Sequence, residues 1–170
     1  MTGVLQFSWE LGGSGWATCR IADGGSEQKC SVSYCTDALS DLLHAVAGLY
    51  GTATDQRVSF DLEPAEERWR LRRRGMDVHI AIYRFPDLNQ SWDAPDAEGA
   101  LSWTSTQPRR VFAHAVTEAA AGVLGLHGEV AYREKWVQHP FPVAALHDLR
   151  RLHLRDDQCL HEDCRADRDS

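Results

Sequence analysis

The chain lacks the features that mark membrane and secreted proteins. No run of apolar residues approaches the roughly 18 that a membrane-spanning helix needs. Residues 1–9 have neither the basic start nor the apolar stretch of a signal peptide. These absences predict a cytoplasmic protein that has no membrane partner.

The chain has only five cysteines, and because this number is odd they cannot all form disulfides within the chain. A reducing compartment keeps such residues as free thiols. One alternative is a zinc site in which Cys159, His161 and Cys164 are joined by Cys30 and Cys35. Structural zinc takes four ligands, commonly from two paired clusters, and the gap between Cys30 and Cys35 does not guarantee that their thiols converge. The spacing therefore predicts no metal and no cofactor.

Recognisable enzyme signatures are also missing. The chain has no Gly-x-Ser-x-Gly elbow, no phosphate-binding glycine loop and no His-Glu-x-x-His helix. The glycine-rich run at residues 12–15 lacks the following helix and lysine that would bind phosphate, so it is interpreted as a hairpin turn. Glu63, Glu66 and Glu67 are interpreted as solvated groups at a strand end. These absences favour a binding protein over an enzyme.

The chain is acidic, with 25 aspartates and glutamates against 18 lysines and arginines and a net charge of -7. A chain of this charge repels nucleic acid and anionic membranes, and it attracts basic proteins. The composition therefore predicts a protein partner of basic charge and no nucleic-acid partner.

Alternation of apolar and polar residues predicts seven strands. The clearest case is the run in which Trp69 and Leu71 face one side while arginines face the other. We expect strands at residues 4–11, 16–21, 28–35, 57–63, 67–73, 76–84 and 100–105. The acidic, turn-rich segment at 86–99 is predicted to be an exposed loop.

Apolar residues at helical spacing predict helices at 37–50, 108–124 and 142–153, and residues 129–136 are expected to continue as a further short helix. Thr36 is the predicted N-cap of the first helix, and Gly125 or Gly128 is expected to break the second. The expected fold is an α+β domain over residues 1–154. It contains an antiparallel meander sheet of six or seven strands, packed by one central helix and by carboxyl-terminal helices. Residues 155–170 are expected to form a charged, flexible tail.

The arginine-rich strand at 67–73 is the first candidate site. An anion-binding patch is one interpretation. The favoured alternative is a ladder of cross-strand charge pairs with acids on the neighbouring strands, namely Asp61, Glu63 and Asp77. Arg70, Arg72, His79 and Tyr83 are expected on one sheet face, and they are the best candidates for a small-ligand or enzymatic site.

The segment at 132–142, YREKWVQHPFP, carries a family resemblance together with Glu63-Pro64 and Arg68-Trp69-Arg70. In these pieces the chain resembles a set of uncharacterised small actinobacterial proteins. Over residues 55–150 it is also similar in element order to the α+β immunity proteins of bacterial toxin systems. The resemblance implies a non-enzymatic binding role, such as inhibition of a cognate toxin, and it transfers no site residues.

Trp136 is both a predicted core residue and a candidate binding residue. Tyr132 and Trp136 lie four positions apart on a predicted helix, and Phe141 follows in a rigid proline-containing link. We expect Trp136 and Phe141 to be mostly buried between the last helix and the rest of the domain. An exposed Trp136 would instead indicate a partner surface, because tryptophan is enriched among interface hot spots.

Overall fold

The structure is a computed structural model, and it describes residues 4–137 and 139–157. Its strands form two antiparallel sheets. Sheet A contains β1 (Gln6–Gly13), β2 (Trp16–Ala22) and β3 (Glu27–Ser33) in that order. Sheet B contains β4 (Asp55–Asp61), β5 (Glu66–Arg74), β6 (Asp77–Phe85) and β7 (Ala100–Pro108) in that order. All seven predicted strands are confirmed, with ends that agree within three residues.

Four helices complete the described part of the chain: α1 (Ala38–Gly48), α2 (Leu88–Ser91), α3 (Arg109–Trp136) and α4 (Val143–Asp157). The α+β class is therefore confirmed. Gly128 interrupts α3 with a φ of 73°, so the predicted break is present, although the predicted end at 124 is too early. None of these helices combines the length and the apolar character required to cross a membrane.

The predicted single meander sheet is wrong, as is its one central helix. The strand β3 approaches β4, but no hydrogen-bonded pairing joins them in the described chain. Residues 34–54 separate the two strands, and α1 occupies most of that connection and packs against β4. Alternation locates strands along the chain, but it does not show which strands pair, and only tight turns force neighbours together.

Aromatic rings link the two sheets to α3. The ring centroids of Trp9 and Phe60 lie 5.8 Å apart, those of Phe60 and Trp69 lie 5.6 Å apart, and those of Trp9 and Trp136 lie 6.4 Å apart. These separations suit edge-to-face and tilted contacts. Trp136 is 0% exposed and Phe141 is 4% exposed, so their predicted burial is confirmed.

A buried carboxylate connects sheet A to sheet B. Glu67 on β5 accepts hydrogen bonds from the Gln28 amide at 2.8 Å, the Cys30 thiol at 2.8 Å, the Trp69 indole at 3.0 Å and Arg84 at 3.1 Å. The prediction that Glu67 is solvated is wrong, because alternation along β5 places it on the same face as Trp69. A buried carboxylate needs this number of donors to offset its loss of hydration.

A second buried polar cluster fixes the end of α4. The Asp157 carboxylate accepts hydrogen bonds from Arg109 at 2.8 Å, from His153 at 3.0 Å and from the Tyr50 hydroxyl. The Arg109 guanidinium also lies 4.0 Å from the centroid of the Tyr50 ring. The helix therefore continues to Asp157, beyond its predicted end at 153. The remainder of the predicted tail, 158–170, lies outside the described residues.

We predict that Trp136→Ala lowers the free energy of unfolding by about 3–5 kcal/mol, the range for large aromatic deletions in cores. Chemical denaturation measures the change. The control is Trp92→Ala, because the Trp92 side chain is 55% exposed and its loss should cost less than about 1 kcal/mol. Similar losses in the two variants would contradict the packing role of Trp136.

Candidate functional site

The outer face of sheet B, which points away from the buried Trp69, carries four of the five predicted site residues. Arg70 and Arg72 come from β5, and His79 and Tyr83 come from β6. Arg72 lies directly opposite His79 in the strand register. Trp136 is not near them, because it is the last residue of α3 and is buried against Trp9 of β1.

Acidic groups neutralise the arginines of this outer face. The Nε atom of Arg70 lies 3.0 Å from Asp96, and the Nε atom of Arg72 lies 3.4 Å from Asp55. The predicted ladder of charge pairs is present, but its acids are Asp55, Glu66 and Asp96 instead of Asp61, Glu63 and Asp77. Asp96 reaches the face because the segment 86–99 folds back over it, which strand periodicity alone does not show.

Arg68 holds the segment 86–99 on the sheet. Its guanidinium is 1% exposed, and it pairs with Glu66 at 3.0 Å and with Asp96 at 3.0 Å. It also donates to the backbone carbonyls of Ser91 at 2.8 Å and Ala94 at 2.7 Å. The predicted exposed loop is therefore anchored at its middle, and it contains α2 as well as a short 3₁₀ turn.

The partner of Arg68 is fixed in its charged form. Burial raises the pKa of Glu66, but hydrogen bonds from Arg68, Ser59 and Ser91 outweigh burial and leave that pKa below its ordinary value. The predicted solvated state of Glu66 is wrong, since its side chain is 0% exposed. Glu66 and Arg68 thus form a rigid base under the outer face.

The surroundings of His79 disfavour its charged form. Burial lowers the pKa of His79, and the charges of Arg74 and Arg72 lower it further. Its Nδ1 atom is hydrogen-bonded to the Thr106 hydroxyl at 3.0 Å. Among the described residues no carboxylate is hydrogen-bonded to this imidazole, whereas orientation by such a group is typical of a catalytic base.

A cleft of about 670 Å³ lies beside the outer face, between α1 and β4, and we refer to it as the α1–β4 cleft. Its volume is within the range of ligand pockets. The lining residues come from α1, from β4 and from the chain after α2: Thr36, Asp41, His44, Ala45, Gln56, Arg57, Val58, Ser59, Trp92 and Asp93. Sequence reasoning missed this site because the three segments are distant along the chain.

Consecutive residues of β4 lie on opposite sides of this cleft. Val58 is buried on the α1 side, and Gln56 lies against the backbone of α1. Arg57 and Ser59 lie on the other side, where Arg57 donates to the Trp92 carbonyl at 2.8 Å and lies 5.2 Å from the Trp92 ring centroid. Arg57 also pairs with the buried carboxylate of Glu66, so it adds little uncompensated positive charge to the cleft.

Aspartates at the cleft have no lysine or arginine partner in the described part of the chain. Partial burial raises the pKa of Asp37, and partial burial together with the charge of Asp37 raises the pKa of Asp41. The only ion-pair contact of Asp37 among the described residues is His139, at 3.9 Å. Asp93 adds a further acid on the opposite wall.

Buried polar atoms near the start of α1 lack hydrogen-bond partners among the described residues. Asp37, and not the predicted Thr36, is the N-cap of α1, yet its side chain makes no capping bond. The Thr36 hydroxyl, one Asp37 oxygen and the Tyr132 hydroxyl are all buried without partners. Burial and the charge of Asp37 raise the pKa of Tyr132, whose side chain is 0% exposed. Of these three residues only Thr36 lines the cleft, and the Tyr132 hydroxyl lies in the interior behind it.

The zinc hypothesis falls largely outside the described residues, where Cys159, His161 and Cys164 lie. Within the described chain, Cys30 and Cys35 contact two different glutamates. Residues 4–137 and 139–157 contain no group of three or more histidine, cysteine or acidic side chains arranged to hold a metal ion.

Comparison of the chain with protein-family models, curated proteins and solved structures gave no match. The resemblance to immunity proteins therefore stays a prediction. Function is inferred below from the geometry of the α1–β4 cleft.

We predict that Arg68→Ala lowers the free energy of unfolding by about 3–5 kcal/mol, because it leaves the buried Glu66 carboxylate without its main partner. Amides in the segment 86–99 should then exchange with solvent faster, as measured by hydrogen–deuterium exchange. The control is Arg74→Ala, whose exposed side chain should change stability by less than about 0.5 kcal/mol. Unchanged exchange across 86–99 in Arg68→Ala would contradict the anchoring role.

Proposed function

We propose that this chain is a non-enzymatic binding protein whose α1–β4 cleft accepts a basic segment of a protein partner. One observation carries the proposal. Asp41 and Asp93 line the cleft without a lysine or arginine ion-pair partner among the described residues, together with a tryptophan that is 55% exposed, and the pKa values of Asp41 and of Asp37, one helical turn before it, are raised.

The raised pKa values indicate which charge the cleft favours. Partial burial raises the pKa of both Asp37 and Asp41, and the charge of Asp37 raises that of Asp41 further, so both carboxyls resist ionisation. An ammonium or guanidinium group between them would reverse that effect. Opposite charges 4 Å apart attract by about 1 kcal/mol in water and about 4 kcal/mol at a protein surface. The net charge of -7 attracts the same kind of partner over longer distances.

Trp92 supplies the apolar contact that such an interface needs. Its indole stands at the rim of the cleft beside Asp93, and Arg57 and the rest of its segment hold it in place. Tryptophan and charged groups on a fixed backbone are typical of the few residues that contribute most binding energy.

The alternative site on the outer face of sheet B receives less support. Arg70 and Arg72 are already paired with Asp96 and Asp55, so an anionic ligand would have to compete with those acids. The lowered pKa of His79 also reduces its charge at neutral pH.

A narrower form of the proposal is that the partner is a toxin and that this chain is an immunity-type inhibitor acting in the cytoplasm. The resemblance and the acidic cleft support this form, since an acidic inhibitor can cover a basic surface. Cys19, Cys30 and Cys35 are free thiols, which is typical of a reducing compartment.

We predict that a random heptapeptide library selected on the wild-type protein yields peptides rich in lysine and arginine. An enriched peptide should bind the double variant Asp41→Asn/Asp93→Asn about three- to tenfold more weakly, because two partly exposed ion pairs are lost. Trp92→Ala should weaken binding about 30-fold, the effect of a typical hot spot. Isothermal titration calorimetry measures each affinity.

The control for this experiment is Asp148→Asn, which removes an exposed acid from α4 that is not part of the cleft lining. It lowers the negative charge of the chain without touching the cleft, so peptide affinity should stay within about twofold of wild type, as expected for a surface change. Enrichment of acidic or uncharged peptides, or equal losses in Asp148→Asn and the cleft variant, would contradict the proposal.

We also predict that affinity for the same peptide falls as the pH is lowered from 7.5 to 4.5. Because the pKa values of Asp37 and Asp41 are raised above 3.8, these groups take up protons earlier than ordinary aspartates during acidification. The protonated carboxyls no longer attract the cation, so binding is strongest at neutral pH. Calorimetry across this range should show the decline in wild type and a smaller one in Asp41→Asn. An affinity independent of pH would refute this assignment.

A further inference from the structure

The strand β4 is an edge strand of sheet B that contains neither a bulge nor a proline. It pairs with β5 alone in the described structure, and the register between the two strands is continuous from Asp55 to Asp61. The opposite edge of sheet B, β7, has a register irregularity next to Tyr83 and ends at Pro108. Bulges and prolines are common protections of sheet edges, so their absence from β4 marks it as the edge open to pairing.

The hydrogen bonds between β4 and β5 show which backbone groups of β4 are unused. Two hydrogen bonds, one just beyond each end of the paired segment, show which residues of β4 face β5. The Leu62 N–H donates to the Ala65 carbonyl and the Arg73 N–H donates to the Thr54 carbonyl, both at 2.8 Å. In an antiparallel pair, residues alternate between pointing both backbone groups at the partner strand and pointing both away. Even-numbered residues of β4 therefore face β5, whereas Arg57 and Ser59 direct their N–H and C=O groups toward the free edge.

The α1–β4 cleft runs along this free edge. Four consecutive residues, 56 to 59, line it although their side chains alternate between the two faces of the sheet. Residues on opposite faces of a strand share only the strand's edge. The backbone groups of Arg57 and Ser59 therefore lie at the floor of the cleft, between the α1 wall and the Trp92 wall.

We infer that the basic partner segment binds as an additional strand along the free edge of β4, an inference that rests on the proposed function. Successive side chains of an added strand point to opposite faces, so one reaches Asp41 on the α1 side and the next reaches Asp93 on the Trp92 side. The partner is therefore an extended segment with two lysines or arginines at neighbouring positions. Basic residues two positions apart would both face one wall and leave the other acid unpaired.

Two peptides of equal composition test the spacing. In Thr-Val-Lys-Lys-Val-Thr-Val the lysines are neighbours, and in Thr-Lys-Val-Lys-Val-Thr-Val they are two positions apart. We expect the first peptide to bind the full-length chain about two- to fivefold more tightly, the contribution of one partly exposed ion pair. On binding, the amides of Arg57 and Ser59 should exchange more slowly, as measured by NMR. Equal affinities together with unprotected amides at 57 and 59 would overturn the inference.

A matched pair of variants isolates the backbone contribution. Arg57→Ala and Arg57→Pro both remove the side chain, but only proline removes the N–H at the free edge, and it leaves the bonds between β4 and β5 intact. Arg57→Pro should bind the neighbouring-lysine peptide about two- to tenfold more weakly than Arg57→Ala, which is the effect of one hydrogen bond. Thermal melting tests whether both variants fold. If one of them does not fold, the protection of the amides at 57 and 59 in the wild-type protein still tests the inference.

The outcomes separate the two proposals. If the peptide binds in a manner that depends on Asp41 and Asp93, but Arg57→Pro equals Arg57→Ala and the amides at 57 and 59 are unprotected, strand addition is refuted and the basic-segment function stands. If neither peptide binds in a manner that depends on those two acids, both proposals fail.

Discussion

The fold depends on three consecutive charged residues of β5, Glu66, Glu67 and Arg68, whose side chains are all buried. Alternation along the strand sends Glu67 inward, where it joins sheet A to sheet B, and it sends Glu66 and Arg68 outward, where they anchor the segment 86–99. Buried charges are stable only when donors and acceptors surround them, so each of these groups fixes the position of several others. The same stretch of strand therefore determines how the sheets meet and where Trp92 lies.

These buried contacts determine where the two walls of the α1–β4 cleft lie. Anchoring of the segment 86–99 places Trp92 and Asp93 on one side of β4, and packing of α1 places Asp41 on the other. The free edge of β4 remains between them. Arg57 belongs to both systems, because it pairs with Glu66 and contacts Trp92. The acidic walls keep their unbalanced charge because Arg57, Arg70 and Arg72 of sheet B are already paired with other carboxylates.

Local patterns in the sequence predicted the elements well and their assembly poorly. Alternation located all seven strands, and Trp136 and Phe141 were correctly expected in the core, because period and apolar character are local properties. The split into two sheets and the burial of Glu66 and Glu67 depend on contacts between distant segments. The cleft was missed for the same reason, since no single stretch contains both its acids and Trp92. Four predicted site residues do share one face, but the spacing did not show that Arg70 and Arg72 form ion pairs with Asp96 and Asp55.

The central claim is that Asp41, which lines the α1–β4 cleft, and Asp37, one helical turn before it, have no lysine or arginine partner among the described residues. A pH titration of the aspartate side-chain carboxyl signals by ¹³C NMR tests it directly on the free protein. Asp157 is the internal reference: burial raises its pKa, but hydrogen bonds from His153, Tyr50 and Arg109 outweigh burial and lower it. We predict that Asp37 and Asp41 titrate above 3.8 and Asp157 below it. Values for Asp37 and Asp41 at or below 3.8 would show that the cleft already has its counter-charge, and would contradict this account.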